Sequence, residues 1–119
     1  MIIDKRKRLK WNNKIWYVDV LTYPNKRMCL SLRSKNNNKE ITIDLNDVYL
    51  DSGRIFLDPD VKDNGILKAL KKSRIIKNIT GVSYYNYLVV PIAIVNMGIL
   101  RQYDYKGVIE HLDIVSKEG

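Results

Sequence analysis

Nine successive residues without a charge, Tyr87 to Val95, form the most apolar run of the chain and constrain its fold most. Six of them are β-branched or aromatic, which predicts a buried strand rather than a helix. Pro91 cannot donate to a ladder, so it belongs at a sheet edge, a bulge or a strand switch. Thr80-Gly81 reads as a turn before the run, and Tyr84, Tyr85 and Tyr87 lead into it. Asn86 and Asn96 interrupt it well short of the roughly 20 apolar residues of a bilayer span. The other strands and one helix are expected to pack on this segment.

Upstream, Ile15 to Tyr23 is rich in strand formers, with Trp16, Val18, Val20 and Thr22 on one face. Pro24-Asn25-Lys26 is a turn, and Arg27 to Ser34 alternates, with Met28, Leu30 and Leu32 inward. A polar loop at 35–39 leads to a third strand over Glu40–Leu45, in which Thr42 and Asp44 face out. Arg54 to Asp58 fits a fourth strand. Asp58-Pro59-Asp60 opens an amphipathic helix over roughly 60–74, weakened at Gly65 by about 1 kcal/mol, the alternative being a loop in place of the first turn with the helix starting at Asn64. Val108, Ile109, Leu112 and Val115 recur at helical spacing, which predicts a short C-terminal helix. The expected class is therefore α+β: a small antiparallel sheet of about five strands, one amphipathic helix packed on it, and a short C-terminal helix. At 119 residues one domain suffices, with residues 1–10 as a basic N-terminal arm or the flank of a first strand.

The net charge of +8 is concentrated in the first third of the chain. Residues 1–40 carry eleven Lys and Arg against Asp4, Asp19 and Glu40, whereas the ten basic and ten acidic groups after them cancel. Such asymmetry points toward a polyanionic partner, the alternative being that the charge only keeps a small aromatic protein soluble. The candidate binding residues are Lys5, Arg6, Lys7, Arg8, Lys10, Trp11 and Lys14, then Lys26 and Arg27 at a hairpin tip. A second group is Lys68, Lys71, Lys72 and Arg74, whose simpler reading is a solvated helix face. Cations neutralise phosphates and aromatic faces stack bases. Trp16 is expected in the core, and Trp11, beside two asparagines, has the better chance of exposure.

Groups that could carry catalysis are scarce. His111 is the single histidine, expected as an exposed or partly packed helix residue, and Cys29 the single cysteine, expected as an ordinary small strand residue. One cysteine and one histidine make no paired zinc motif. Asp58, Asp60 and Asp63 fail a calcium-loop pattern because Lys62 falls on a ligand position; helix capping explains them better than a Mg²⁺ site for a metal-assisted nuclease. No glycine has phosphate-loop spacing. These absences predict no enzyme, metal or cofactor. With no signal peptide and no possible internal disulfide, a reducing, intracellular setting is expected.

Over residues 41–104 the chain resembles an uncharacterised family of small proteins carried by phages, plasmids and conjugative elements. Ile41-Thr-Ile-Asp-Leu45, Phe56-Leu-Asp-Pro-Asp60, the helix with its Ile75-Ile-Lys-Asn-Ile79 exit, and Thr80-Gly-Val-Ser-Tyr84 carry the likeness. The resemblance implies a small α+β module of mobile-element origin, without an assigned activity. Two functions follow as expectations. One is a non-enzymatic protein that docks on a nucleic acid or nucleoprotein complex, as inhibitors of host defence such as anti-CRISPR proteins do. The other is a protein–protein adaptor or homo-oligomer that uses an apolar edge strand near Pro91.

Overall fold

The alternating segments at the front of the chain form an antiparallel sheet of β1 (Leu9–Trp11), β2 (Lys14–Thr22), β3 (Met28–Arg33) and β4 (Asn38–Glu40), in that order. The computed structural model describes residues 6–117. Asn12 and Asn13, at φ 53° and 59°, turn β1 into β2, a left-handed geometry that Asn tolerates. Val18 pairs with Leu32 and Val20 with Leu30, and all four are buried.

The segment 41–45 is not the regular third strand that its alternation predicted. Ile41 N–H donates to the Leu30 carbonyl at 3.0 Å, and the chain then crosses to another sheet, where Ile43 N–H donates to the Phe56 carbonyl at 3.0 Å. An isolated bridge pairs Thr42 with Leu57. The ladder on β3 is instead completed by the three residues of β4, of which Asn38 and Lys39 lie in the stretch read as a loop. Ile41 and Leu45 are buried as expected, but so is Thr42. Its hydroxyl accepts from Leu30 N–H at 3.1 Å and bonds the Tyr23 hydroxyl at 2.8 Å, which satisfies a polar group that burial would otherwise penalise.

The apolar run is β7 (Leu88–Val95), the centre of a second antiparallel sheet ordered β5 (Arg54–Phe56), β7, β6 (Ile76–Tyr85). Among the described residues the architecture is thus α+β with two sheets, of four and three strands, rather than one of about five. Thr80 and Gly81 lie within β6, at a register shift between Ile79 and Gly81; the turn is Asn86-Tyr87, at φ 47° and 69°. Pro91 faces Val82 across the pair, and its carbonyl accepts from Leu57 N–H at 2.9 Å. A strand residue directs N and O to the same neighbour, so the missing N–H lies on the β5 side, just where β5 has ended.

The helix expected over 60–74 is broken. A 3₁₀ turn spans Pro59–Lys62, capped by Asp58, whose carboxylate accepts from Asp60 N–H at 2.9 Å. Gly65, at φ 86°, separates it from α1 (Ile66–Lys72). The C-terminal part holds two helices, α2 (Met97–Tyr103) and α3 (Tyr105–Ser116), capped by Asn96 and Asp104. One core cluster joins both sheets and the helices through Leu30, Ile55, Ile66, Leu70, Leu100 and Val108. Each such fully buried side chain contributes about 2 kcal/mol of apolar transfer. Leu45, Phe56 and Val90 form a smaller cluster on the other face of the second sheet. No helix among the described residues is long and apolar enough to cross a membrane.

Candidate functional site

Two surfaces stand out from this frame. The first surface is basic and centres on Tyr17 of β2. The guanidinium carbons of Arg6, Arg8 and Arg33 lie 4.9, 4.9 and 4.8 Å from its ring centroid. Arg8 also donates to the Tyr17 hydroxyl at 2.9 Å. Asp19, two residues along the same strand face, accepts from Arg6 at 3.0 Å and from Arg33 at 2.8 Å. Burial raises the Asp19 pKa, and the hydrogen bonds and charges of Arg33 and Arg6 outweigh it, so the carboxyl is held below its ordinary value. The Arg33 guanidinium is held correspondingly more basic by Asp19.

The other predicted cations fall into two groups. Lys10 and Lys14 on the β1–β2 ribbon and Lys68, Lys71, Lys72 and Arg74 on or just after α1 are solvent-exposed. Trp11 joins these elements: its indole N–H donates to the Asn64 carbonyl at 2.7 Å, and its ring packs against Trp16 with centroids 5.2 Å apart and planes tilted by 44°. It is therefore half-buried against the core, whereas Trp16 is buried in it. Arg27 turns inward and donates to the carbonyls of Leu45 and Val48 at 2.7 and 2.6 Å, over the Phe56 ring. That makes it a brace for the covering segment 43–50. Arg6 bonds the Tyr103 and Val18 carbonyls at 2.7 and 2.8 Å, and Lys7 N–H donates to the Gln102 carbonyl, so the chain is docked from Arg6 onward. Lys7 is exposed and Lys26 half-buried; Lys5 lies outside the described residues.

The second surface is the distal part of the β6–β7 hairpin, beyond the reach of β5. From Asn78 to Asn96 the chain carries no charged residue. Val82, Tyr84, Tyr85, Tyr87, Leu88 and Val89 are each more than 40% exposed, Tyr84 at 74% and Tyr87 fully. Register places Val82, Tyr84 and Val89 on one face and Tyr85 and Leu88 on the other. The sequence marked this stretch as buried strand, and only its inner half is. Charged strand residues that flag an exposed face are missing here, so the pattern alone could not separate a covered strand from a bare arm.

Chemically reactive groups are sequestered. Cys29 lies 3.6 Å from the Glu40 carboxylate, which also accepts from the Tyr23 hydroxyl at 2.5 Å. Burial pushes the thiol pKa up, which keeps it protonated and a poor nucleophile. The Tyr23 hydroxyl is likewise pushed up, by burial and by its bond to Glu40. His111 is nearly buried, a placement its helical setting did not signal, with Nδ1 2.7 Å from the Thr22 hydroxyl. Burial lowers its pKa. Among the described residues no three His, Cys, Asp or Glu side chains gather to hold a metal ion. Compared with protein-family models, curated proteins and solved structures, the chain matches none.

Proposed function

We propose that the chain is a non-enzymatic binding protein that docks on a nucleoprotein complex. In this reading the β6–β7 arm seats on a protein surface, and the cations of β1, β2 and α1 meet phosphates. The arm carries the proposal: six large apolar side chains project from a ribbon that is free of charge from Asn78 to Asn96 and whose edge strand, β6, is ten residues long. An arm of that kind in water invites aggregation unless a partner covers it. Its lack of cations suits a protein surface rather than a phosphate backbone. The Arg–Tyr17 cluster supports the polyanion contact, since guanidinium groups and an aromatic ring in one patch serve both phosphate pairing and base stacking. The likeness to small mobile-element proteins fits an inhibitor of a host-defence complex.

The same long β6 edge favours a second reading, a homo-oligomer built by strand pairing. Fluorescence anisotropy with labelled single- and double-stranded oligonucleotides tests the phosphate contact, which should weaken steeply with salt and with Lys10→Glu/Lys14→Glu/Lys71→Glu. Capture from bacterial lysate, with and without nuclease, tests the arm. A Tyr84→Asp/Leu88→Asp chain that retains every captured partner sinks its role. Light scattering over a concentration series separates the readings, because self-association abolished by the same pair of aspartates supports the oligomer.

A further inference from the structure

We propose that the outer face of the first sheet, with the cleft where the residues ahead of β1 dock on the α2–α3 junction, binds single-stranded nucleic acid. This deepens the phosphate-contact reading above and rests on it. On β2, Trp16, Val18 and Val20 point into the core, so Ile15, Tyr17, Asp19 and Leu21 point outward. Ile15 is 63% and Leu21 55% exposed, so neither end of this face is covered by another described element. Tyr17 stands between them, with Arg8 and Arg33 over its ring.

The cleft repeats that pairing of ring and cation. It offers about 460 Å³, lined by Arg6, Lys7, Arg101, Gln102 and Tyr105, a size that suits a nucleotide. Tyr105 is 64% exposed, and Lys7 and Arg101 are exposed beside it. Arg6 joins the two units, because it lines the cleft while its guanidinium carbon lies 4.9 Å from the Tyr17 centroid. Among the described residues no carboxylate lies within ion-pair distance of Lys7, Arg8 or Arg101. Arg6 and Arg33 are by contrast matched by Asp19, with Asp104 3.9 Å from Arg6. The Asp104 carboxylate is itself engaged by the Gly107 and Val20 N–H groups. Lys7, Arg8 and Arg101 therefore keep their charge along a track that carries two rings.

The repetition of ring and cation selects the ligand. A nucleic-acid strand carries one phosphate and one base per nucleotide, so cations and rings placed in turn match it. A duplex keeps its base faces inside the stack and leaves the exposed Tyr105 ring nothing to cover. An acidic peptide brings carboxylates without flat faces for stacking. Guanidinium planes also take stacked bases, so Arg8 serves both parts of the contact.

Fluorescence anisotropy of the full chain with a labelled oligothymidylate of about 12 nucleotides tests the site against the duplex and the abasic strand of equal length. The single strand should bind at least about tenfold tighter than either. Oligouridylate in parallel tells which sugar is preferred, and preference for either single strand over its duplex supports the proposal. Tyr105→Ala should weaken the single strand about tenfold with the salt slope unchanged, and Tyr105→Phe should keep the affinity. Arg101→Gln should make the log–log salt slope shallower by about 0.7, the share of one phosphate on a single strand. Equal affinity for duplex and single strand overturns the proposal, as do folded Tyr105→Ala and Arg101→Gln chains that bind undiminished. If Lys10→Glu/Lys14→Glu/Lys71→Glu still weakens binding in that case, the wider phosphate contact survives and this site alone falls. Absence of binding by every oligonucleotide at low salt removes both. Should Tyr105→Ala not fold, the slope in Arg101→Gln decides, and an unchanged slope overturns the site.

Discussion

Gly107 of α3 rests directly on the backbone of β2: a Cβ placed on it would lie 2.7 Å from the Val20 carbonyl oxygen. The same junction is stitched by Asp104, whose carboxylate accepts from Gly107 N–H at 3.0 Å and from Val20 N–H at 2.9 Å. One side chain thus caps a helix and satisfies a strand donor, and the close approach of α3 to the first sheet depends on a residue with no side chain.

Gly107→Ala is therefore expected to destabilise the fold by about 2 kcal/mol, because the atoms it meets are backbone and a capping carboxylate that cannot easily move. Gly98→Ala is the internal comparison. There the nearest atom to the new Cβ is Asn96 Oδ1 at 3.6 Å, so helix propensity prevails and stability should rise by about 0.5 kcal/mol. Urea midpoints of the two chains should move in opposite directions.

His111 predicts an acid-sensitive fold. Burial lowers its pKa below the ordinary 6.5, so the unfolded chain takes up a proton before the folded one does. Stability is full above 6.5, declines as pH falls through that value, and levels off once the folded ring also titrates. Denaturation midpoints measured from pH 7.5 to 5 should fall, and His111→Gln, which keeps a polar partner for Thr22, should flatten the slope over that window.

Asp19 titrates in a lower window and with a different readout. Its pKa is depressed below 3.8, so its stabilisation is present above that value and is lost as pH falls beneath it. Asp19→Asn should cost about 1 kcal/mol at neutral pH, since Arg33 is nearly half exposed and water screens the pair. It also releases Arg6 and Arg33 from their shared carboxylate. Affinity for a labelled oligonucleotide should consequently rise, with a steeper salt dependence, even as stability drops. Parallel loss of both would count against the Tyr17 cluster as a phosphate contact.

Much of this arrangement was legible in the sequence. Strict alternation at Val18, Val20, Leu30 and Leu32 fixed both inward faces of the β2–β3 hairpin, and Pro24-Asn25-Lys26 marked its turn. The α+β class followed from those signals. Segment 41–45 misled because period two reports burial on alternate positions and not the partner strand: Ile41 bonds β3, whereas Ile43 bonds Phe56. Burial of Thr42 and His111 depends on Leu30 N–H and Thr22, contacts 12 and 89 residues away in the chain. Nothing local announces them. Arg27 looked like a binding cation for the same reason, since its carbonyl partners lie 18 and 21 residues on.

Tyr87 separates stability from function at the arm. It occupies the second central position of the β6–β7 turn at φ 69°, after Asn86 at 47°, the conformation for which Asn-Gly is favoured. A tyrosine there is strained, and it is fully exposed, so it gains no packing in return. Tyr87→Gly should stabilise the hairpin by about 1 kcal/mol, seen as a higher thermal midpoint. If the tip meets a partner, the same change should weaken capture, because an aromatic side chain supplies much of the contact area such an arm can offer. A chain that melts higher and still captures its partner undiminished would place the contact on the faces around Tyr84 and Leu88 and leave the tip without a role in docking.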